Sequence, residues 1–450
     1  MRRMVLCGWL VLAGYAVVAV STAIGQEAEK LVPLFNGKNL DGWVNVDCDP
    51  DTFTVKEGMI VSTGIPTGFI RTVKQYENFI MELEWCHLTK GGDSGVFLYA
   101  DAIPARGAPF TRSIQVQIQD GNKGDIFPIH GAVMTPEKPH PNGWMRSVPI
   151  DDYVKPVGEW NHYRIESRDG MVTLKINGRL ATRAFNCNPR KGFICLQAET
   201  KSPINFRNIR IAELPGNNPH SEVVAMSDPG LQSIFAGLKM QNWKTVAGNH
   251  WHAEDWILYF DGKGKPDGED KYLWTKEEYE NFVMLVDWRF PMKPKSETLP
   301  MIMPDGSEAT DESKNSIKAT LMTAGRSAVC LRGSMKAQID LWNWPIGSGV
   351  VSGYRTDTNA PPEVRRGVTP MLNADNEAGL WNRAEIAVID NQITITINGL
   401  TVVKNAALPG LPPKGPIGLQ QVGDVVLFTN LFVKPLAKGE PYTVITGMKQ

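Results

Sequence analysis

Hydrophobic and polar residues alternate with a period of two along much of this chain, which is the pattern of half-buried β-strands. The segment MVTLKING (171–178) alternates in this way and ends in Asn177-Gly178, a strong signal for a two-residue hairpin turn. The segment QITITING (392–399) repeats both features. No long stretch has the period of an amphipathic helix. The chain is therefore predicted to be all-β.

Several motifs occur twice in the same order, which indicates a duplicated domain. The sequence offset between the copies is 235 − 35 = 200 residues at the first motif and 428 − 206 = 222 at the last. Such a repeat is far longer than a solenoid unit. The paired motifs are FNGKNLDGW with FAGLKMQNW, YENFIMELEW with YENFVMLVDW, WNHYRIES with WNRAEIAV, the two ING turns, GFICLQ with GPIGLQ, and FRNI with FTNL.

These patterns predict two β-sandwich (jelly-roll) domains in tandem, each made of two sheets packed face to face. The predicted boundaries are a signal peptide at 1–25, a first domain at 26–215, a linker at 216–230, a second and divergent domain at 231–436, and a C-terminal tail at 437–450. The linker is rich in Pro, Gly and Asn, which is typical of a connection between domains.

The first 25 residues have the composition of an export signal. Arg2 and Arg3 form a basic start, the segment 5–20 is apolar, and Ala23-Ile24-Gly25 supplies small residues for cleavage. We expect a periplasmic or secreted protein without further membrane contact. The alternative is an uncleaved N-terminal anchor.

Composition excludes some classes of protein. The 450 residues are 42% hydrophobic and 21% charged, which supports a packed core and argues against wholesale disorder. The formal net charge of −1 argues against nucleic-acid binding, which needs a clustered positive surface. The sequence carries no signal for the oligomeric state.

Neither a metal site nor a cofactor is predicted. The cysteines beyond the signal have no Cys-x-x-Cys spacing; Cys187 and Cys195 form a disulfide across a hairpin or remain buried free thiols. Asp120, Asp125 and His130 lie close in sequence, but their spacing matches no metal motif.

The stretch SIQVQIQDG (113–121) suggests a binding surface. In a strand, Gln115, Gln117 and Gln119 share one face while the isoleucines and valine between them face the core. An amide offers both donors and an acceptor to sugar hydroxyl groups. The alternative is an ordinary strand whose amides only pair with one another.

Seven motifs in order, LFNGKNLDGW, GDSGVFL, QVQIQD, GEWNHYRI, KINGR, CLQAE and NFRNIRI, resemble the bacterial 3-keto-disaccharide hydrolase family. The resemblance covers about residues 34–214 and is weaker in the second copy, where GLQQVGDV lacks the acidic residue that follows Leu-Gln in the first. It implies the concanavalin A-like lectin/glucanase jelly roll and an oxidised, 3-keto saccharide as substrate.

The glutamine strand lacks the pair of carboxyl groups that ordinary glycoside cleavage needs. A 3-keto substrate removes this need, because the ketone acidifies the proton at C2 and one base then suffices for elimination at C1. Glu199 and Asp120 are the candidate bases. Arg71 and His130, with the glutamines, are candidates to stabilise the enolate oxygen.

Asp93 and Gln197 are further candidates for substrate contacts. Structural interpretations stay open for each acid: Glu199 pairing with Lys201, Asp120 building a turn before Gly121, and Asp93 forming an Asx-turn. For the whole protein, the alternative to an enzyme is a non-catalytic, lectin-like protein.

The second copy differs at the corresponding strand, AQIDLWNW. Period two places Gln338, Asp340, Trp342 and Trp344 on one face. The tryptophans form either a platform for sugar rings or a contact with the first copy. We expect chemistry in the first copy and binding or support in the second, whose segment 293–315 is predicted to be a polar loop.

Overall fold

The computed structural model describes residues 30–199, 201–244, 250–263, 271–342 and 344–446. The predicted signal peptide lies outside these residues. The described chain is almost entirely β-structure, which confirms the predicted fold class. Its α-helices in these ranges are short, Ser352–Arg355 (α1) and Pro362–Gly367 (α2), and none is long and apolar enough to cross a membrane.

The first unit contains fifteen strands within the described residues: Val32–Pro33 (β1), Trp43–Val46 (β2), Phe53–Lys56 (β3), Met59–Ser62 (β4), Gly68–Thr72 (β5), Phe79–His87 (β6), Gly95–Ala100 (β7), Ser113–Gln117 (β8), Ile126–Ile129 (β9), Val133–Pro136 (β10), Asn161–Arg168 (β11), Met171–Ile176 (β12), Arg179–Asn188 (β13), Phe193–Ala198 (β14) and Ile204–Glu213 (β15). A short 3-10 helix, Ser221–Val223, follows in the connection to the second unit.

The second unit contains fourteen strands within the described residues: Gln232–Ser233 (β16), Trp251–Glu254 (β17), Ile257–Phe260 (β18), Tyr272–Tyr279 (β19), Phe282–Arg289 (β20), Lys295–Pro300 (β21), Lys318–Thr323 (β22), Arg326–Leu331 (β23), Ser334–Trp342 (β24), Asn382–Ile389 (β25), Gln392–Ile397 (β26), Leu400–Ala407 (β27), Gly415–Gln420 (β28) and Val426–Pro435 (β29).

Each unit is a sandwich of a large and a small antiparallel sheet. In the first, the large sheet runs β10-β13-β12-β11-β6-β15-β4-β3 with β1 beside β15, and the small sheet runs β2-β5-β14-β7-β8-β9. In the second, the large sheet runs β17-β18-β29-β20-β25-β26-β27 with β16 beside β29, and the small sheet runs β19-β28-β23-β24. A separate hairpin pairs β21 with β22.

The repeated motifs occupy equivalent places in the two units. The YENF strands β6 and β20 lie at the centre of the large sheets, between β11 and β15 and between β25 and β29. The ING turns close the hairpins β12–β13 and β26–β27, with Asn177 and Asn398 in the left-handed region at φ of 49° and 50°. The side chains that alternate inward fill a separate apolar core in each unit.

Two long connections contain strands, and one of them, 293–315, was predicted to be a polar loop. The connection 121–159 contributes β9, which extends the small sheet by pairing with β8. The segment 293–315 contributes β21, whose partner β22 begins only at Lys318. Neither β9 nor β21 shows clear alternation of its own, so the partner strand decides their conformation. The five cysteines of the described residues are buried free thiols, which excludes the Cys187–Cys195 bond.

The second unit covers part of the small sheet of the first. Leu285 of β20 and Phe432 of β29 join a buried apolar cluster with Phe69, Phe97 and Phe193, which project from the small sheet on the face away from its own core. The sequence predicted a binding surface on this face. Its apolar half is instead an interface, because the outer face of the second large sheet is apolar at the contact.

A buried carboxylate joins the two units at this interface. Asp287 of β20 is fully buried and receives hydrogen bonds from Arg383 Nε and Nη2 at 2.6 and 2.7 Å. Asn430 Nδ2 and the backbone N–H of Gly107 also donate to it, each at 2.7 Å. Arg383 donates further to the Pro104 carbonyl, so the loop after β7 is held between the units.

We predict that Asp287→Ala destabilises the protein by about 3–5 kcal/mol, because Arg383 loses its carboxylate in a buried setting. Urea unfolding of the full chain measures the change. Glu213→Ala is the matched control, since the Lys74–Glu213 pair is half exposed on both sides and should change stability by less than about 0.5 kcal/mol. Equal losses for the two variants would contradict a central role for Asp287.

Candidate active site on the small sheet of the first unit

Three buried glutamines from two strands meet on the outer face of the small sheet, which we call the amide face. Gln115 and Gln117 of β8 lie opposite Phe97 and Gly95 of β7, and Gln197 comes from β14 on the other side of β7. A Cβ atom at Gly95 would lie 2.8 Å from both Gln115 Nε2 and Gln197 Oε1. The glycine therefore leaves the space in which the amides meet.

The amides form a continuous chain of hydrogen bonds. Gln115 Nε2 donates to Gln117 Oε1 at 2.7 Å and to Gln197 Oε1 at 2.9 Å. Gln197 Nε2 then donates to Glu199 Oε2 at 2.9 Å. Gln115 Oε1 and Gln117 Nε2 have no hydrogen-bond partner in the described ranges, so the chain retains an acceptor and a donor that can serve a ligand.

Glu199 is thus placed at one end of the amide chain. It follows β14 directly and is partly buried. Its Oε2 accepts from Gln197, which orients one carboxylate oxygen toward the amides. Of the two bases predicted from sequence, this is the one that contacts the glutamines.

Asp93 brings a second carboxyl group to the same face. Gln119 Nε2 donates to its Oδ2 at 2.8 Å, whereas its Oδ1 is buried and accepts no hydrogen bond within the described chain. Burial raises the pKa of Asp93 to about 6, against the opposing effects of the Ser94 backbone N–H and of Arg146. A carboxyl group with this pKa exchanges protons near neutral pH.

Arg146 is a cation near this face that the sequence analysis did not select. Its Nη1 donates to Asp125 Oδ2 at 3.0 Å, and its guanidinium lies 4.0 Å from the ring centroid of Phe127. It reaches the sheet because Ser147 pairs with Ile126 at the start of β9. The sequence near Arg146 contains no local pattern that predicts the pairing of Ser147 with Ile126. Arg146 could have been selected only if that long-range pairing had been known.

Asp120 has the contacts of a turn residue. Its carboxylate accepts from the Gly91 backbone N–H at 3.1 Å and from Lys123 Nζ at 3.0 Å. The Gly91 N–H and then Lys123 lower its pKa, which makes it a weaker base than an ordinary aspartate. These contacts favour the structural interpretation of this residue.

Arg71 does not reach the amide chain. It is 3% exposed, and its Nη2 donates to Asp228 of the connection between the units at 2.5 Å while its Nε donates to the Ala102 carbonyl at 3.2 Å. Its guanidinium lies 4.4 Å from the centroid of the Phe193 ring. Arg71 is on the expected face of the sheet, but at the half that the second unit and the connection cover.

His130 lies at the other end of the strand pair. His130 follows Ile129, which pairs with Ser113 at the start of β8. Ser113 is four residues from Gln117, and four residues span about 13 Å along a strand. Its side chain is exposed and its φ is 50°. The expected convergence of His130 with a carboxylate over the glutamines is therefore not found, because β9 runs antiparallel to β8 and carries it away.

The second unit has a related but different arrangement. Strand register gives the equivalents of the first-unit amides: Gln338 for Gln115, Asp340 for Gln117 and Gln420 for Gln197. Gln338 Nε2 donates to Asp340 Oδ1 at 2.8 Å, and burial raises the pKa of Asp340 to about 6. Val422 stands at the position of Glu199. Each unit therefore has a carboxyl group on this face, at different positions.

The fold defines a tandem jelly-roll protein with an amide-rich face on the small sheet of its first unit. The profile of one family, the 3-keto-alpha-glucoside-1,2-lyase-like domain, matches residues 30–212 and again 230–434. The chain belongs to this family, and the resemblance drawn from its motifs is confirmed for both copies. No curated protein matches the sequence.

Several solved structures are similar to part of the chain. A candidate glycosyl hydrolase from Parabacteroides distasonis ATCC 8503 is 24% identical, with 42% of this chain and 95% of that chain covered and a TM-score of 0.34. A carbohydrate-binding module from Bacillus subtilis is 12% identical, with 38% and 96% covered and a TM-score of 0.30. A Bacillus licheniformis beta-glucanase is 13% identical, with 40% and 96% covered and a TM-score of 0.28.

Replacing Asp93 or Asp120 by asparagine should change the stability of the protein in opposite directions at alkaline pH. The folded-state pKa of Asp93 is raised from 3.8 to about 6, so its contribution to stability is lost as the pH rises through 6. We predict that Asp93→Asn is more stable than the parent at pH 8, by about 1–2 kcal/mol, and equal to it below pH of about 4.

The pKa of Asp120 is lowered, so its contribution is present above the unfolded-state value and is lost as the pH falls. Asp120→Asn should therefore be less stable than the parent at pH 8 and equal to it in acid. Urea unfolding across pH 3–8 measures both variants. The assignment is wrong if both variants shift stability in the same direction at pH 8.

Proposed function

We propose that the first unit cleaves 3-keto-glycosides by removing the C2 proton and eliminating the group at C1. The observation that carries the proposal is the amide face: two carboxyl groups, Asp93 and Glu199, flank glutamines with unused hydrogen-bonding atoms. Membership of the 3-keto-alpha-glucoside-1,2-lyase-like family supports the substrate class.

The reaction balances without an oxidant. A carboxylate takes the proton at C2, and the electron pair of that C–H bond forms the enolate of the C3 ketone. The ketone then re-forms as the C1–O bond breaks, which leaves a C1–C2 double bond and releases the aglycone, whose oxygen takes a proton. Addition of one water molecule, with its hydroxyl group at C1 and one proton at C2, gives net hydrolysis. Since the substrate already carries the ketone, no redox cofactor enters these steps.

Asp93 is the base that we favour, and Glu199 is the second candidate. Asp93 lies beside Gln119 at the amide face and has a pKa of about 6, so it is largely ionised at neutral pH yet retains basicity. Glu199 contacts the chain of amides by accepting a hydrogen bond from Gln197 Nε2. Asp120 is less suited, because Lys123 and the Gly91 N–H stabilise its charged form.

The enolate oxygen needs a donor or a cation. Arg146 takes the role that the sequence suggested for Arg71 and His130, since it interacts electrostatically with Asp93 and its charge is permanent. Gln117 Nε2 supplies a neutral donor. With the predicted signal peptide, the reaction takes place in the periplasm or outside the cell.

Asp93→Asn should lower kcat/KM for a 3-keto disaccharide by about 10²–10⁴-fold if Asp93 is the base. Glu199→Gln tests the second candidate, and Asp120→Asn is the matched control, with a change below about threefold expected. Deuterium at C2 should slow the reaction of the parent enzyme where proton removal limits the rate.

The proposal fails if the unoxidised disaccharide is cleaved as fast as its keto form, or if both Asp93→Asn and Glu199→Gln keep full activity. Saturable binding of saccharides without any turnover of the keto form would favour the lectin-like alternative.

Gln117→Ala should mainly weaken substrate binding, because an amide donates hydrogen bonds but cannot take the proton. We expect KM to rise about fivefold to tenfold with a smaller change in kcat, as for the loss of one hydrogen bond. Gln392→Ala, which removes an exposed strand glutamine of the second unit, is the control and should change neither constant. A fall in kcat alone would contradict a binding role for Gln117.

A further inference from the structure

The second unit has an insertion that the first lacks. The connection from β20 to β23 contains 326 − 289 − 1 = 36 residues, whereas the corresponding connection from β6 to β7 contains 95 − 87 − 1 = 7. Most of the insertion forms the β21–β22 hairpin and the turns at its tip. The hairpin stands beside the small sheet and is tied to it by the hydrogen bond from Trp342 Nε1 to Thr323 Oγ1 at 3.2 Å.

This hairpin forms one wall of a cleft of about 560 Å³, which we call the hairpin cleft. Its volume is in the range of about 300–1,000 Å³ that is usual for small-molecule sites. The residues that line it come from the hairpin side, from the end of β24 and from the connection before β25: Pro294, Leu321, Met322, Trp344, Pro345, Asn373, Asp375, Asn376, Glu377 and Ala378. The first unit has a smaller hollow, of about 220 Å³, beside its own equivalent connection at Asp151 and Asp152.

Two residues of the hairpin cleft carry buried polar atoms without a partner. Trp344 Nε1, a donor, and Asp375 Oδ1, an acceptor, are both buried and make no hydrogen bond within the described chain. Leaving such an atom unsatisfied costs about 1–3 kcal/mol. The other carboxylate oxygen of Asp375 accepts from the Ser348 backbone N–H at 2.9 Å, which holds the side chain in place. The lining of the cleft thus includes two residues, Trp344 and Asp375, whose hydrogen-bonding capacity is not satisfied within the described chain.

Two side chains pack against the ring of Trp344. The rings of Trp342 and Trp344 are perpendicular with their centroids 4.5 Å apart, and the guanidinium of Arg355 lies 5.3 Å from the Trp344 centroid. Trp342 itself is only 9% exposed and bonds to the hairpin. The two tryptophans are therefore not a paired platform: Trp342 supports Trp344, and Trp344 lines the cleft.

We propose that the hairpin cleft is a binding site for an uncharged saccharide, which makes the second unit a substrate-holding module. A sugar ring combines an apolar C–H face, which fits Trp344 and Met322, with hydroxyl groups that both donate and accept. The rim also carries Asn373 and Asn376, whose amide groups are held by hydrogen bonds to the Trp344 and Trp381 carbonyls and keep one further N–H each. Two carboxyl groups, Asp375 and Glu377, disfavour an anionic saccharide. The choice of saccharide as ligand class rests on the function proposed for the first unit.

Binding can be measured apart from the chemistry. Isothermal titration calorimetry would use the full chain carrying Asp93→Asn and Glu199→Gln, with unoxidised maltose, cellobiose and lactose as probes, so the result does not depend on turnover of a keto sugar. We expect at least one probe to bind saturably. Trp344→Phe, which removes the N–H donor and part of the stacking surface, should weaken that binding about tenfold or more. Asp375→Asn should weaken it about fivefold.

Trp160→Phe is the matched control. Trp160 precedes β11 in the large sheet of the first unit and the centroid of its ring lies 3.8 Å from the guanidinium of Arg207, so its change should leave the affinity unchanged. Thermal melts check that each variant is folded. The proposal is overturned if no probe binds, if Trp344→Phe and Asp375→Asn both bind as the parent does, or if Trp160→Phe weakens binding as much as Trp344→Phe does. Turnover of a keto sugar tests the function proposed for the first unit and does not test the hairpin cleft. This holds whether turnover is lost in the first-unit variants or is absent in the parent.

Discussion

The buried carboxylate of Asp287 in the second unit, paired with Arg383 of the same unit, also binds the Gly107 N–H of the first unit and so links the two. A carboxylate with no exposed surface is tolerated only when its oxygens are paired, and here Arg383, Asn430 and the Gly107 N–H supply the partners. These groups come from both units. The contact therefore divides the small sheet of the first unit into an apolar half, which the second unit covers, and the amide face.

The two copies use the same strand register for opposite purposes. In the first, Glu82 of β6 faces Arg210 of β15 on the outer side of the large sheet and forms a salt bridge at 2.9 Å. In the second, the equivalent pair is Leu285 and Phe432, which are buried between the units. Such an exchange of charge for apolar surface at aligned positions is visible in the two repeats. It could have indicated which sheet face forms the interface.

The two small sheets also differ in their carboxyl groups and in their surroundings. The first has Asp93 and Glu199 beside three glutamines, whereas the second has Asp340 in place of Gln117 and an inserted hairpin that encloses a cleft. This divergence fits a division between chemistry in one unit and ligand binding in the other. Duplication permits it, because each sandwich has its own core and its outer strand positions can change independently.

The sequence by itself determined the all-β class, the duplication, the ING hairpins and the glutamine strand, because each depends on periods and turns that are local or repeated. It also placed Glu199 directly after a strand, from which it reaches Gln197. Only the tertiary structure decided which charged groups meet the amides. Arg146 lies near the amides because Ser147 pairs with Ile126. Burial raises the pKa of Asp93. Arg71 forms an ion pair with Asp228 of the connection between the units and does not contact the amides. Burial and long-range pairing depend on the whole fold and leave no local pattern in the chain.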